Sequence, residues 1–164
     1  MLRNLFSWGA LFTIALSTSA GPLSEAVQQE SFGWMAGKWK ATEPSGGEVL
    51  VTHEWRLNKN AVVTTVKTPE MSTSGMTFYC YKQEEIRYVA VSDSGVNLMG
   101  TWSSIEGSPL LTIEYRGPYG ETGKTAYVMK KDGPDRMKVL IYEGYSADNP
   151  TGYADMTLQF KKVP

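Results

Sequence analysis

The chain has 164 residues, 41% of them hydrophobic, and a formal net charge of −1 at pH 7. Positive and negative residues are spread along the sequence, and no basic cluster of the kind that binds nucleic acid occurs. Cys80 is the only cysteine and His53 the only histidine. One cysteine cannot form an intramolecular disulfide, and the two residues together supply too few ligands for a structural zinc site.

The first twenty residues have the organisation of a secretory signal. Arg3 is the only charged residue among them, an apolar run follows over residues 5–16, and small residues end the segment at Ala20. The run is shorter than the roughly 20 residues that span a bilayer, so a membrane anchor is less favoured. We expect residues 1–20 to be a cleaved signal peptide and residues 21–164 to form a single domain. The protein would then be exported, periplasmic or secreted, without stable membrane insertion.

One short helix is predicted over residues 23–32. Ser24 is a candidate N-cap, and Glu25 lies in the first turn, where a carboxylate interacts favourably with the helix dipole. The helix leads directly into the segment Trp34-Met35-Ala36-Gly37-Lys38-Trp39.

From Lys38 onward the apolar residues alternate with period two, which predicts half-buried strands. In residues 48–57 one face carries Val49, Val51, His53, Trp55 and Leu57. Further strands are predicted around residues 61–68, 76–82, 86–92, 96–103, 110–116, 122–131, 137–145 and 153–162.

Short turn sequences rich in Gly, Pro and Asn separate these runs, for example at residues 45–47 and 131–134. Many strands of similar length with almost no helix predict an all-β protein. We expect an antiparallel up-and-down β-barrel of about nine or ten strands, because closure removes the open edges that invite aggregation. A β-sandwich is the alternative, although the Cys…Trp…Cys pattern of immunoglobulin domains is missing.

Three short motifs support a family resemblance. The helix followed by Gly37-Lys38-Trp39 resembles the start of calycin-type barrels, in which Gly-x-Trp opens the first strand. Glu54-Trp55 and Gly100-Thr101-Trp102 also have counterparts in bacterial lipocalin-like barrel domains, distant relatives of the nitrobindins. The resemblance implies a β-barrel with an interior suited to a small ligand.

The chain departs from this pattern in two places. Lipocalins place a late Arg over the Trp of Gly-x-Trp, whereas only Lys161 and Lys162 are available here for a cation–π contact with Trp39. Nitrobindin-like proteins hold haem through a histidine in a late strand, and the C-terminal half of this chain has no histidine. We therefore expect no haem and no other cofactor.

His53 is the main candidate for chemistry. Its position on the apolar face predicts that it points into the barrel, where it would contact a ligand, move a proton, or be a hydrogen-bonded core residue. Glu143 is a candidate carboxylate partner, or a strand-end residue that faces water. Cys80 is expected to be buried as a small hydrophobe rather than to act as a reactive thiol.

Aromatic and Met side chains in the strands would line a small-molecule site, or serve only as strand formers and core. We expect an exported protein that binds a small apolar or aromatic ligand. The expected contacts are His53, Trp55, Tyr81, Trp102 and Tyr115. Two alternatives remain: an enzyme that uses His53 as acid or base in the barrel pocket, and a structural or assembly protein of the cell envelope with no ligand.

Overall fold

The computed structural model describes residues 22–29 and 32–164. The signal-peptide prediction for residues 1–20 lies outside the described residues. A helix, α1 (Pro22–Gln29), and a single 3₁₀ turn (Gly33–Met35) precede the strands. The strands are β1 (Gly37–Thr42), β2 (Glu48–Arg56), β3 (Ala61–Lys67), β4 (Ser72–Cys80), β5 (Glu85–Ser92), β6 (Asn97–Ile105), β7 (Ser108–Arg116), β8 (Thr122–Lys131), β9 (Arg136–Glu143) and β10 (Met156–Val163).

Each strand pairs antiparallel with the next, and β10 pairs with β1 to close the barrel. This confirms the predicted all-β up-and-down barrel in place of the β-sandwich. Because consecutive strands alternate in direction, every second turn lies at the same end of the barrel. The end that carries the β2–β3, β4–β5 and β6–β7 turns is covered by α1, and we call it the α1 end. We call the opposite end the far end.

Within the described residues, α1 and the 3₁₀ turns are all too short or too polar to form a membrane-crossing helix.

The interior follows the predicted alternation. Residues on the inward side of most strands form one continuous core around Trp39, which is almost fully buried. The buried members of this core are Trp39, Ala41, Val49, Tyr88, Leu111, Ile113, Met129, Met137, Val139, Leu158 and Phe160. Since a large apolar side chain contributes about 1.5–3 kcal/mol when fully buried, this core supplies much of the drive for closure.

Some strand and helix limits differ from the predictions. The helix was expected over residues 23–32 but is Pro22–Gln29, and residues 30 and 31 lie outside the described residues. Strand β4 begins at Ser72 although residues 72–75 resemble a turn in sequence. The reason is register: Thr73 is buried and pairs with Val66 on one side and with β5 on the other.

The last predicted strand boundaries are also wrong. Residues 144–155 are not strand but a connection that begins with a 3₁₀ turn (Gly144–Asp148). Ala147 is buried against the outer face of β8 and β9, and Lys124 of β8 forms an ion pair with Asp148. These contacts hold the connection against the outside of the barrel, so β9 ends at Glu143 and β10 begins later than expected.

The Gly-x-Trp motif ties the N-terminal segment to the last strand. The Trp39 indole Nε1 donates to the Met35 carbonyl at 2.8 Å, and the Trp34 ring packs edge-on at 6.1 Å between centroids. Lys162 Nζ lies 5.2 Å from the centroid of the Trp39 ring. This lysine therefore makes the cation–π contact that a late Arg makes in lipocalins. Gly37 has φ +120°, and a Cβ there would lie 2.8 Å from the Lys162 side chain.

Replacing Trp39 by Phe tests this closure point. Trp39→Phe keeps an aromatic ring but removes the indole N–H, which leaves the Met35 carbonyl without its donor and a gap in the core. We expect the free energy of unfolding to fall by about 2 kcal/mol, measured by urea denaturation. Tyr153→Phe is the matched control, because Tyr153 is fully exposed, and it should change the value by less than about 0.5 kcal/mol. Equal effects of the two substitutions would contradict the assigned role of Trp39.

Candidate functional site

A cavity of about 320 Å³ lies at the α1 end of the barrel. Leu23 and Val27 of α1, with Phe32 after it, form one wall. Inward side chains of β2–β6, among them Trp55 and Trp102, form the other. The volume lies at the lower end of the range found for small-molecule sites, so the cavity suits a compact ligand.

The wall formed by α1 depends on tertiary packing. A helix of eight residues is too short to be stable by itself. Leu23 is completely buried and Phe32 nearly so, and the Phe32 backbone N–H donates to the Val27 carbonyl at 2.9 Å. The apolar side of the segment therefore packs onto the barrel end and forms one wall of a half-open space between them.

His53 lies on the cavity wall in β2. It faces Thr64 of β3 directly across the sheet, and its Nδ1 is 2.9 Å from Thr64 Oγ1. The residue is only 9% exposed. Burial lowers the pKa of His53 from 6.5 to about 4, because desolvation penalises the charged imidazolium. His53 is therefore neutral at neutral pH.

Two further features define the polarity of the cavity. Trp102 Nε1 donates to Thr77 Oγ1 at 3.1 Å, which joins the inward side chains of β6 and β4. Glu84 and Glu85, at the β4–β5 turn, also contribute to the wall, and Glu85 forms an ion pair with Arg87 at 2.6 Å. The described residues that line the cavity include no Lys or Arg. The cavity is thus apolar, with neutral hydrogen-bonding groups inside and carboxylates at its edge.

The structure brings together three of the five expected contact residues. His53, Trp55 and Trp102 all line the cavity. Tyr81 lies outside it, 73% exposed in the turn after β4, with its ring edge-on to Tyr79.

Tyr115 also lies outside the cavity. It is near the end of β7, toward the far end of the barrel, and 37% exposed. Its ring lies over Gly123, where a Cβ would come within 2.3 Å of the tyrosine hydroxyl. Tyr115 is therefore separated from His53 by most of the barrel height.

The sequence analysis did not single out Thr64 or Thr77 as parts of the site, nor α1 as a wall of the cavity. The two threonines carry a usable signal, because period-two alternation within their strands places both on the inward side. The contribution of α1 has no such signal, since the packing direction of a short helix is set by the barrel it covers.

The proposed acid–base pair of His53 and Glu143 is not assembled. Glu143 is exposed at the end of β9, at the far end of the barrel, whereas His53 lines the cavity at the α1 end. The enzyme alternative that used these two groups together is therefore wrong in its geometry.

The expected burial of Cys80 is also wrong. Cys80 is half-buried at the last position of β4, and its Sγ donates to Gln83 in the following turn. Because Tyr79 beside it lines the cavity, Cys80 is directed to the outer side. Cys80 and His53 thus lie on opposite sides of the sheet and form no dyad.

Across residues 22–29 and 32–164, no three His, Cys, Asp or Glu side chains come together in a group that could hold a metal ion.

Comparison with known proteins adds no family assignment. The chain matches no protein-family model and no curated protein sequence. The closed ten-stranded antiparallel barrel is consistent with a lipocalin-like fold. The more specific resemblance to calycin-type domains and nitrobindins stays a prediction.

The buried neutral His53 should make the protein sensitive to acid. Below pH 6.5 the histidine of the unfolded chain binds a proton, whereas that of the folded protein stays neutral down to about pH 4. Folding stability is therefore complete above pH 6.5 and falls as the pH drops toward 4, by about 3 kcal/mol in all. The measurement is urea denaturation at half-unit pH intervals.

His53→Gln is the control for this experiment. Glutamine does not titrate, so the variant should lose the stability change between pH 6.5 and 4 that the histidine causes. Parallel pH profiles for the two proteins would contradict the assignment.

Proposed function

We propose that this protein is an exported binding protein that holds one small apolar or aromatic molecule in the cavity under α1. The observation that carries the proposal is the half-open cavity itself, which is bounded by α1 on one side and by Trp55 and Trp102 on the other. Aromatic walls with a few fixed polar groups are the usual composition of a small-molecule site.

The surrounding packing supports a ligand rather than a packing defect. Elsewhere in the barrel the inward residues form a continuous core, including Trp39, Tyr88 and Phe160. The cavity is confined to the α1 end, where a separate element covers it. An apolar molecule bound there would remove the apolar surface of these walls from water.

A neutral fluorescent probe tests this function. We expect N-phenyl-1-naphthylamine to bind the wild-type protein with micromolar affinity, with enhanced probe fluorescence and quenched tryptophan emission. Val62→Phe places a larger side chain in the cavity and should weaken binding at least tenfold. Val63→Phe is the matched control, because Val63 is the next residue of β3 and faces outward, and its affinity should equal that of the wild type.

Circular dichroism should first show that both variants are folded. If the wild-type protein does not bind the probe, or if Val62→Phe and Val63→Phe behave alike, the cavity is not the binding site.

The export part of the proposal has its own test. Protein recovered from the cell that produces it should have an N-terminus at Gly21, as shown by intact-mass measurement, and should fractionate outside the cytoplasm. Ala20→Lys changes the last small residue before the expected cleavage point and should leave the leader attached. Cytoplasmic protein that retains Met1 in the wild-type chain would refute export.

A further inference from the structure

The hydrogen-bonding groups of the cavity limit the chemical class of ligand that it can bind. Resting on the function proposed above, we infer that the ligand is an uncharged apolar molecule with a hydrogen-bond-accepting oxygen, such as a ketone or an ester. The Nε2–H of His53 and the hydroxyl of Thr77 are the donors that such an oxygen can use. A carboxylate held beside these two donors is excluded.

The tautomer of His53 follows from counting hydrogens. If Nδ1 carried the proton and donated to Thr64 Oγ1, the Thr64 hydroxyl hydrogen would need an acceptor, and none is found among the described residues. If Thr64 donates to Nδ1 instead, the hydroxyl hydrogen and the Nδ1 lone pair are both satisfied by one bond. Because unpaired buried donors are costly, the second arrangement is favoured. The proton then lies on Nε2.

Nε2 is directed into the cavity. Every fully enclosed side-chain nitrogen and oxygen among the described residues has a hydrogen-bond partner. His53 makes its side-chain hydrogen bond through Nδ1, and it lines the cavity. Nε2, which has no partner among the described residues, is therefore not enclosed by protein and opens onto the cavity. Its N–H is a donor available to a ligand.

Thr77 supplies a second donor. Its Oγ1 accepts the hydrogen bond from Trp102 Nε1, so one lone pair of this oxygen is used. Its own hydroxyl hydrogen has no acceptor among the described residues, and the side chain lines the cavity while nearly fully buried. The Trp102 bond fixes the position of Oγ1, and the O–H is left to donate to a bound molecule.

The two donors belong to the same part of the wall. Thr64, which holds His53, faces Gly75 of β4, and Thr77 is two residues further along that strand. Such diagonal neighbours on one face of an antiparallel pair have Cα atoms about 7–8 Å apart. His53 of β2 and Thr77 of β4 have β3 between them, so the two donors lie on the same wall of the cavity and each offers a separate hydrogen bond to a ligand.

The charges of the cavity disfavour a carboxylate held beside His53 and Thr77. No lysine or arginine belongs to its described wall, and His53 is neutral at neutral pH. Of the two carboxylates at its edge, Glu85 is paired with Arg87, whereas Glu84 adds negative charge. Burial of a carboxylate without a cationic partner is strongly unfavourable.

Three naphthalenes of the same ring system test this inference. 2-Ethylnaphthalene has no oxygen, 2-acetylnaphthalene is nearly isosteric and carries a carbonyl, and 2-naphthoate is anionic at pH 7.5. By isothermal titration calorimetry we expect the ketone to bind about five- to tenfold more tightly than the hydrocarbon, the gain of one or two hydrogen bonds. The naphthoate should bind most weakly of the three.

Variants of His53 identify the donor. In His53→Leu the preference for the ketone over 2-ethylnaphthalene, measured within the same variant, should fall to about twofold or less. His53→Gln retains an N–H donor and should recover part of that preference, and it serves as the test variant if His53→Leu does not fold. The ¹⁵N chemical shifts of the single histidine report its tautomer directly, and we expect Nε2–H.

The outcomes separate this inference from the function on which it rests. If the hydrocarbon binds as tightly as the ketone, if the naphthoate binds most tightly, or if the histidine is Nδ1–H, the ligand class is wrong while the binding function stands. If none of the three compounds binds, the binding function and the ligand class both fail.

Discussion

Closure of the barrel through the β1–β10 pair is the constraint on which the rest of the structure depends. Trp39 of β1 faces Lys162 of β10 in this register, and the two side chains are in contact. Once the sheet is closed, each strand has one face inside and one outside. Barrels of eight strands are just wide enough to be filled by their side chains or to hold one small ligand, and this barrel has ten. Its greater width leaves space at one end.

That space is covered by an element that is not part of the sheet. The α1 segment covers the barrel end through Leu23 and Phe32, and the cavity lies beneath it. The same low-polarity surroundings keep His53 neutral. In acid the buried neutral imidazole lowers the free energy of unfolding, because the histidine of the unfolded chain binds a proton more readily than that of the folded protein. It also presents an N–H to a ligand without the penalty of a buried charge.

Much of this arrangement is predictable from sequence because strand alternation is a local property. The inward positions of His53 and Trp55 follow from period-two patterning within a single strand, whereas Trp102 was predicted from the family resemblance. The same patterning fails where a strand ends: Cys80 looked like the middle of a strand, but the turn begins immediately after it and the side chain lies outside. Tyr81 and Tyr115 were predicted as ligand contacts because they are aromatic residues in or near strands. Residue type alone does not show how far along the barrel axis a side chain lies.

The sequence by itself determined the strand count within one, the antiparallel meander and the inward face of strands with clear alternation such as β2, since these depend on residues two apart along the chain. Only the tertiary structure decided the register, which sets His53 against Thr64 and places Thr77 diagonally from Thr64. It alone also showed that residues 144–155 pack on the outer face and that α1 forms one wall of a cavity. These features depend on contacts between residues far apart in the chain, and such contacts are selected by the shape of the closed barrel rather than by local pattern.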